Sequence, residues 1–126
     1  MTFDRLHHVQ LAMPTGEEQA ARAFFVGVLG MVEIDKPPVL TSRGGAWFRK
    51  DGVELHLGVE DDFRPARKAH PALAVTGIEA LCAGLVAAGH PVRRTEDVPG
   101  IPQWYVDDPF GNRIELVPAR GPDHST

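Results

Sequence analysis

Three histidines and one glutamate, His8, His56, His70 and Glu115, each stand in a short extended segment where apolar residues alternate with polar or small ones. Imidazole nitrogens and a carboxylate oxygen are metal ligands. A set dominated by histidine leans toward Zn, Ni, Fe or Co, whereas carboxylate-dominated sites suit Mg, Ca or Mn. The expectation is therefore one divalent metal, with Zn or Ni favoured and Fe, Co or Mn as alternatives. Zinc would hold these donors at roughly 2.0–2.2 Å. If all four bind, an octahedral ion keeps positions open for water or substrate oxygens. If His56 stays out, a facial triad leaves more. Either geometry suits Lewis-acid chemistry on a substrate with two adjacent oxygens. Glu115, or a metal-bound water, would then move the proton.

A lone histidine in a strand is usually an ordinary polar residue. His7, His90 and His124 read that way: His7 alternates to the face opposite His8, His90 lies in a Gly-His-Pro turn, and His124 is in the tail. The four candidates differ because they occupy matching places in a repeat. Burying all of them without a partner would be costly, and one cation satisfies them together.

The repeat is legible in the elements that must position these residues. His8-Val9-Gln10-Leu11-Ala12-Met13 aligns with His70-Pro71-Ala72-Leu73-Ala74-Val75. Each segment precedes a helical pattern, over 17–29 and over 78–88, with Gly30 and Gly89 placed to end the helices and Thr15 and Thr76 as caps. Strands then follow. Residues 46–48 and 53–57 flank an Asp51-Gly52 turn, and 103–106 and 113–117 flank the turn Asp108-Pro109-Phe110-Gly111-Asn112. A tryptophan recurs in the penultimate strand of each half, and residues 37–40 and 91–94 are the expected second strands. The fold class is α+β: two paired βαβββ modules, about 5–59 and 69–118, forming a curved mixed sheet around a metal-binding cavity. A polar linker over 60–68 joins them within one domain, and a frayed tail follows from 119.

Side chains alternate across a strand. One face carries Val9, Leu11, Met13, Leu55, Leu57, Leu73, Ile114 and Leu116, and takes the helices. The other carries one potential ligand per strand beside Ala12, Ala72, Ala74 and Gly58, leaving room for a concavity. Gln10, Glu54, Arg113, Trp104 and Tyr105 are candidate substrate-binding residues. Trp47 and Phe48 could also wall the cavity, and Arg49 and Lys50 could meet an anion at its rim.

Composition excludes several classes. The 126 residues are 43% hydrophobic and 24% charged, with a formal charge of −4, so no basic nucleic-acid footprint is present. The clustered cations Arg64, Arg67 and Lys68 adjoin Glu60, Asp61 and Asp62, as a solvated linker would. A single cysteine, Cys82, cannot make an internal disulfide and reads as a buried helical residue. No signal-peptide layout opens the chain and no apolar run approaches the roughly 20 residues of a membrane span, so the expected compartment is the cytoplasm.

The paired modules resemble the vicinal-oxygen-chelate superfamily, which includes glyoxalase I, extradiol dioxygenases, methylmalonyl-CoA epimerase, fosfomycin-modifying thiol transferases and bleomycin-binding proteins. The resemblance rests on His8-Val9-x-Leu11, on Ala21-x-x-Phe24-Phe25-x-x-x-Leu29-Gly30-Met31, on His70, and on Tyr105-Val106-Asp107-Asp108-Pro109-Phe110-Gly111-Asn112-Arg113-Ile114-Glu115-Leu116. It implies metal ligands at His8, His56, His70 and Glu115, although glyoxalase I members commonly carry glutamate where this chain has His56. It also implies a homodimer. The expected function is a metal-dependent lyase- or isomerase-like enzyme acting on a small oxygen-rich substrate. The alternative is an antibiotic-resistance protein, either a metal-dependent thiol transferase or a non-catalytic drug binder.

Overall fold

The computed structural model describes residues 1–119; the tail expected beyond them, with His124, lies outside the described residues. The chain divides into two compact units, Met1–Pro65 and a second from Ala66 onward. Each contains one βαβββ module with its own four-stranded mixed sheet.

In unit 1 the strands are β1 (Val9–Met13), β2 (Val32–Ile34), β3 (Ala46–Lys50) and β4 (Val53–Val59), with α1 (Glu18–Phe25) after β1. Their order is β1-β4-β3-β2, with β1 parallel to β4 and the other pairs antiparallel. Alternation selects the core face. Leu11, Met13, Phe48, Leu55 and Leu57 are buried, and α1 covers them with Ala21, Phe24 and Phe25 at helical spacing. Phe25 stacks on Phe48 with centroids 5.3 Å apart. Burying each such aromatic contributes about 1.5–3 kcal/mol.

Unit 2 repeats the plan. It contains β5 (Ala72–Val75), α2 (Ile78–Ala87), β6 (Arg93–Val98), β7 (Ile101–Asp107) and β8 (Arg113–Pro118), in the sheet order β5-β8-β7-β6. Ile78, Cys82 and Leu85 of α2 are buried, as are Val106, Ile114 and Leu116 of the sheet. The registers of the two modules coincide: Gln10 is opposite His56, and Ala72 is opposite Glu115. The repeat read from the sequence is thus a repeat of hydrogen-bonding positions.

Four expectations need correction. Residues 37–40 form no strand; Pro38–Arg43 is a 3-10 helix, and β2 lies upstream. Adjacent Pro37 and Pro38 offer no N–H to a ladder, whereas proline at a helix start costs nothing. The second strand of unit 2 begins at Arg93, not Pro91, and runs to Val98, where Pro99-Gly100 turns the chain into β7. Helix α1 stops at Phe25, because the following turn widens: Leu29 N–H donates to the Phe24 carbonyl at 2.9 Å. Neither helix has a side-chain cap. Glu17 and Gly77 hold the cap positions, not Thr15 and Thr76. The expected C-terminal glycines do end both helical segments, with φ of 74° at Gly30 and 92° at Gly89.

Candidate metal centre

The four predicted ligands are brought together as two pairs, His8 with His56 in unit 1 and His70 with Glu115 in unit 2. Among the described residues no group of three or more His, Cys, Asp or Glu side chains is arranged to hold an ion.

In unit 2, His70 precedes β5 and Glu115 lies on β8, which is hydrogen-bonded to β5. His70 Nε2 is 2.9 Å from Glu115 Oε1, and both side chains are mostly buried, with 18% and 13% exposure. The other nitrogen, Nδ1, is 3.0 Å from each of the carbonyl oxygens of Arg67 and Lys68. Two carbonyls can only accept, so Nδ1 carries the proton. In the neutral ring, the Nε2 lone pair would then face a carboxylate lone pair. A second proton or a cation must lie between them. Ligating histidines in general donate their second N–H to a carboxylate, a backbone carbonyl or a water, and His70 Nδ1 has two backbone carbonyls in reach. Glu115 is itself held: Gln103 Nε2 donates to its Oε2 at 3.1 Å. The Gln103 Oε1 is buried with no hydrogen-bond partner among the described residues. A buried carbonyl oxygen without a donor is costly, and a metal-bound water or a substrate O–H would satisfy it. An imidazole and a carboxylate are donor types that suit a divalent ion, and the structure brings two of them together at this point. Gln103 was not among the sequence candidates. Its signal was its position two residues before Tyr105, on the face that Tyr105 shares with Glu115.

In unit 1, His56 is 4% exposed and its ring is sandwiched. Trp47 stacks on one side at 3.9 Å and 3°, and His8 on another contact at 4.1 Å and 17°. Trp47 is the register partner of His56. His56 Nε2 is 2.8 Å from Glu54 Oε2, and Arg49 reaches Glu54 Oε1 at 3.4 Å. Burial lowers the His56 pKa below the ordinary imidazole value, against the opposing pull of the Glu54 hydrogen bond. The same hydrogen bond holds the Glu54 carboxyl below its usual range. His8 is exposed and precedes β1. Its Nδ1 lies 3.0 Å from His7 Nδ1, an exposed contact between sequence neighbours.

The substrate candidates divide. Gln10, opposite His56, lies over Gly58, where a Cβ would come within 2.6 Å of its Nε2; the room left by that glycine is filled by Gln10. Tyr105 meets the His70 ring edge-on at 5.7 Å, and the Arg113 guanidinium lies 5.6 Å from the Tyr105 ring centre. Trp104 stands on the opposite face. It is paired with buried Leu116, and the Arg94 guanidinium lies 5.4 Å from its ring centre. The two tryptophans are therefore not equivalent: Trp47 opposes His56 as Tyr105 opposes Glu115, and a one-residue offset moves Trp104 across the sheet. Phe48 is core.

A family model described as the Glyoxalase/Bleomycin resistance protein/Dioxygenase superfamily matches residues 5–116. The chain belongs to this superfamily. Among solved structures, this superfamily member is similar to a protein assigned to the glyoxalase family from Bacillus anthracis. The two are 42% identical with a TM-score of 0.90 over 95% of this chain and 98% of that one. It is also similar to a glyoxalase family protein from Enterococcus faecalis (23% identity, TM-score 0.70, 93% and 99% covered). The fosfomycin resistance protein FosX from Listeria monocytogenes shares the fold at 16% identity, with a TM-score of 0.76 over 98% of this chain and 96% of that one. No curated protein matches the chain. No helix among the described residues is long and apolar enough to cross a membrane.

Proposed function

We propose that this superfamily member is a metal-dependent enzyme of the lyase or isomerase kind, acting on a small oxygen-rich molecule. The observation that carries the reading is the His70–Glu115 pair, with Nδ1 committed to two carbonyls and Nε2 facing a carboxylate. His70 and Glu115 would hold the ion, with Zn or Ni favoured. His8 is proposed as a further ligand from the resemblance alone. His56 is proposed to orient His8 through their ring stack, its Nε2 being engaged by Glu54.

A divalent ion held by His70 and Glu115 would supply Lewis-acid polarisation of a substrate oxygen. The chain's own groups do the rest. The Arg67 and Lys68 carbonyls fix the His70 tautomer. Gln103 steadies one oxygen of Glu115 and offers its own Oε1 to a hydroxyl. Glu115 is the proposed proton carrier, and Tyr105 walls the site.

The presence of Arg113 beside Tyr105 favours a second reading, a metal-dependent thiol transferase acting on an anionic antibiotic. A non-catalytic drug binder is the outcome if no metal is found. A homodimer in the cytoplasm is proposed from the resemblance and the sequence; the exposed Phe3 and Leu6 before β1 are consistent with a partner surface.

Elemental analysis of untagged protein tests the reading. A stoichiometric divalent metal is expected, and it should be lost in His70→Ala. Methylglyoxal with glutathione is the first assay, followed by epoxide antibiotics with added thiols. Metal-free protein whose ligand binding ignores His70→Ala would sink the enzyme proposal.

A further inference from the structure

Unit 2 holds a second concentration of charge near the His70–Glu115 pair. Arg67, Arg93 and Arg113 line one cavity of about 220 Å³ together with Tyr105 and Asp107. Arg67 is committed: its Nη1 donates to the Asp107 carboxylate at 2.9 Å and to the Gly111 carbonyl at 3.0 Å. Arg93 and Arg113 are not. Among the described residues, neither guanidinium has a carboxylate within ion-pair distance, which they share with Arg5 and Arg43, whereas Arg22, Arg49, Arg64, Arg67 and Arg94 all do.

The sheet fixes their placement. Arg93 on β6 is the register partner of Tyr105, and its guanidinium lies 4.8 Å from that ring centre. Arg113 on β8 is the partner of Asp107 on the same face, and its guanidinium lies 5.6 Å from the same ring. Three cations and one carboxylate thus share a concavity, with Arg113 partly withdrawn from water. The ring offers each arginine a weak cation–π contact. It does not neutralise them, and the like charges of exposed Arg93 and partly buried Arg113 repel, most at low ionic strength. An oxyanion between them removes that cost, and guanidinium forks donate in pairs to carboxylates and phosphates alike.

We propose that this pocket is an anion-binding site, taking a carboxylate or a phosphate-type group on Arg93 and Arg113 with Tyr105 as its wall. Tyr105 also meets His70 edge-on and opposes Glu115 in register, so the anion is held beside the pair assigned to the metal. That the anion is the charged end of the substrate rests on the metal reading above; the anion site itself does not.

The test titrates inorganic phosphate and, separately, acetate into the full-length, metal-stripped protein at low ionic strength, followed by amide chemical shifts. Saturable binding of at least one is expected, with shifts centred on Tyr105 and Arg113. Tighter phosphate supports a phosphoryl group and tighter acetate a carboxylate. Arg113→Gln and Arg93→Gln should each weaken binding about tenfold, the effect of losing one charge-assisted contact. Arg113→Lys should recover part of it. Arg94→Gln, whose guanidinium lies at Trp104 and Glu96, should change nothing. His70→Ala should leave the anion bound while abolishing metal uptake, so failure of the metal reading and failure of this one are separable. Shifts that do not saturate, or an equal loss in Arg94→Gln, overturn the assignment.

Discussion

His70 faces two carbonyls with Nδ1 and a carboxylate with Nε2, so either a second proton or a metal ion bridges it to Glu115, and metal binding decides between them. We expect His70→Ala and Glu115→Gln each to lower zinc affinity by at least about a hundredfold, since loss of an outer-shell partner alone costs about 10–100-fold. Isothermal titration with unchanged far-UV circular dichroism checks this. His56→Phe, which retains a ring for Trp47 and His8 to stack on, should cost only about tenfold. A loss as large as that of His8→Ala would make His56 a ligand after all. His70 and Glu115 were legible because residue type and repeat position coincide. Gln103 was not, because a strand glutamine is ordinary until a carboxylate is found 3.1 Å away. His56 was legible as a candidate ligand, but its burial and its sandwich depend on Trp47 from a neighbouring strand.

The turn between β7 and β8 shows what an element can hide. Read as a turn, Asp108 to Asn112 is also a buried polar knot. Asp108 Oδ1 accepts from the Phe110 and Asn112 N–H groups, its Oδ2 accepts from Asn112 Nδ2, and Asn112 Oδ1 accepts from Ala66 N–H. Asp108→Ala strands several donors and should destabilise by about 2–3 kcal/mol in urea denaturation. Burial raises the Asp108 pKa against the pull of those hydrogen bonds. A raised folded value means the native state holds the proton more tightly. The resulting stability is present below the ordinary aspartate value of about 3.9 and is lost as pH rises through the folded value. The stability gap between the wild type and Asp108→Asn should therefore shrink as pH rises from about 3.5. A gap that widens would contradict the assigned shift. Helix α2 makes a simpler statement: burial raises the Cys82 pKa, so thiol labelling should be slow in the native protein and fast once it unfolds.

At the scale of the molecule, a ligand that binds only the folded state stabilises it by about 2.7 kcal/mol at a hundred times its Kd. Saturating zinc should raise the melting temperature by roughly 10 °C for a chain of this size, reversed by chelator. No shift in the wild type would argue against the metal. Sedimentation should give twice the 13.7 kDa chain mass if the proposed homodimer forms.

The repeat, the helices and the face of each strand followed from the sequence because they depend on short-range periods: two residues in a strand, and three to four in a helix. Registers such as Gln10 with His56 and Ala72 with Glu115 came only with the structure, because alternation assigns a face and leaves the pairing partner open. So did what touches what. His70 meets Glu115 across 45 residues of chain, and Arg93 and Arg113 reach one tyrosine from separate strands. Such partners are chosen by strand order and rotamer packing, which no local pattern encodes. Trp104 gives the smallest instance: a single-residue offset, invisible in a list of aromatic residues, set it on the far side of its sheet.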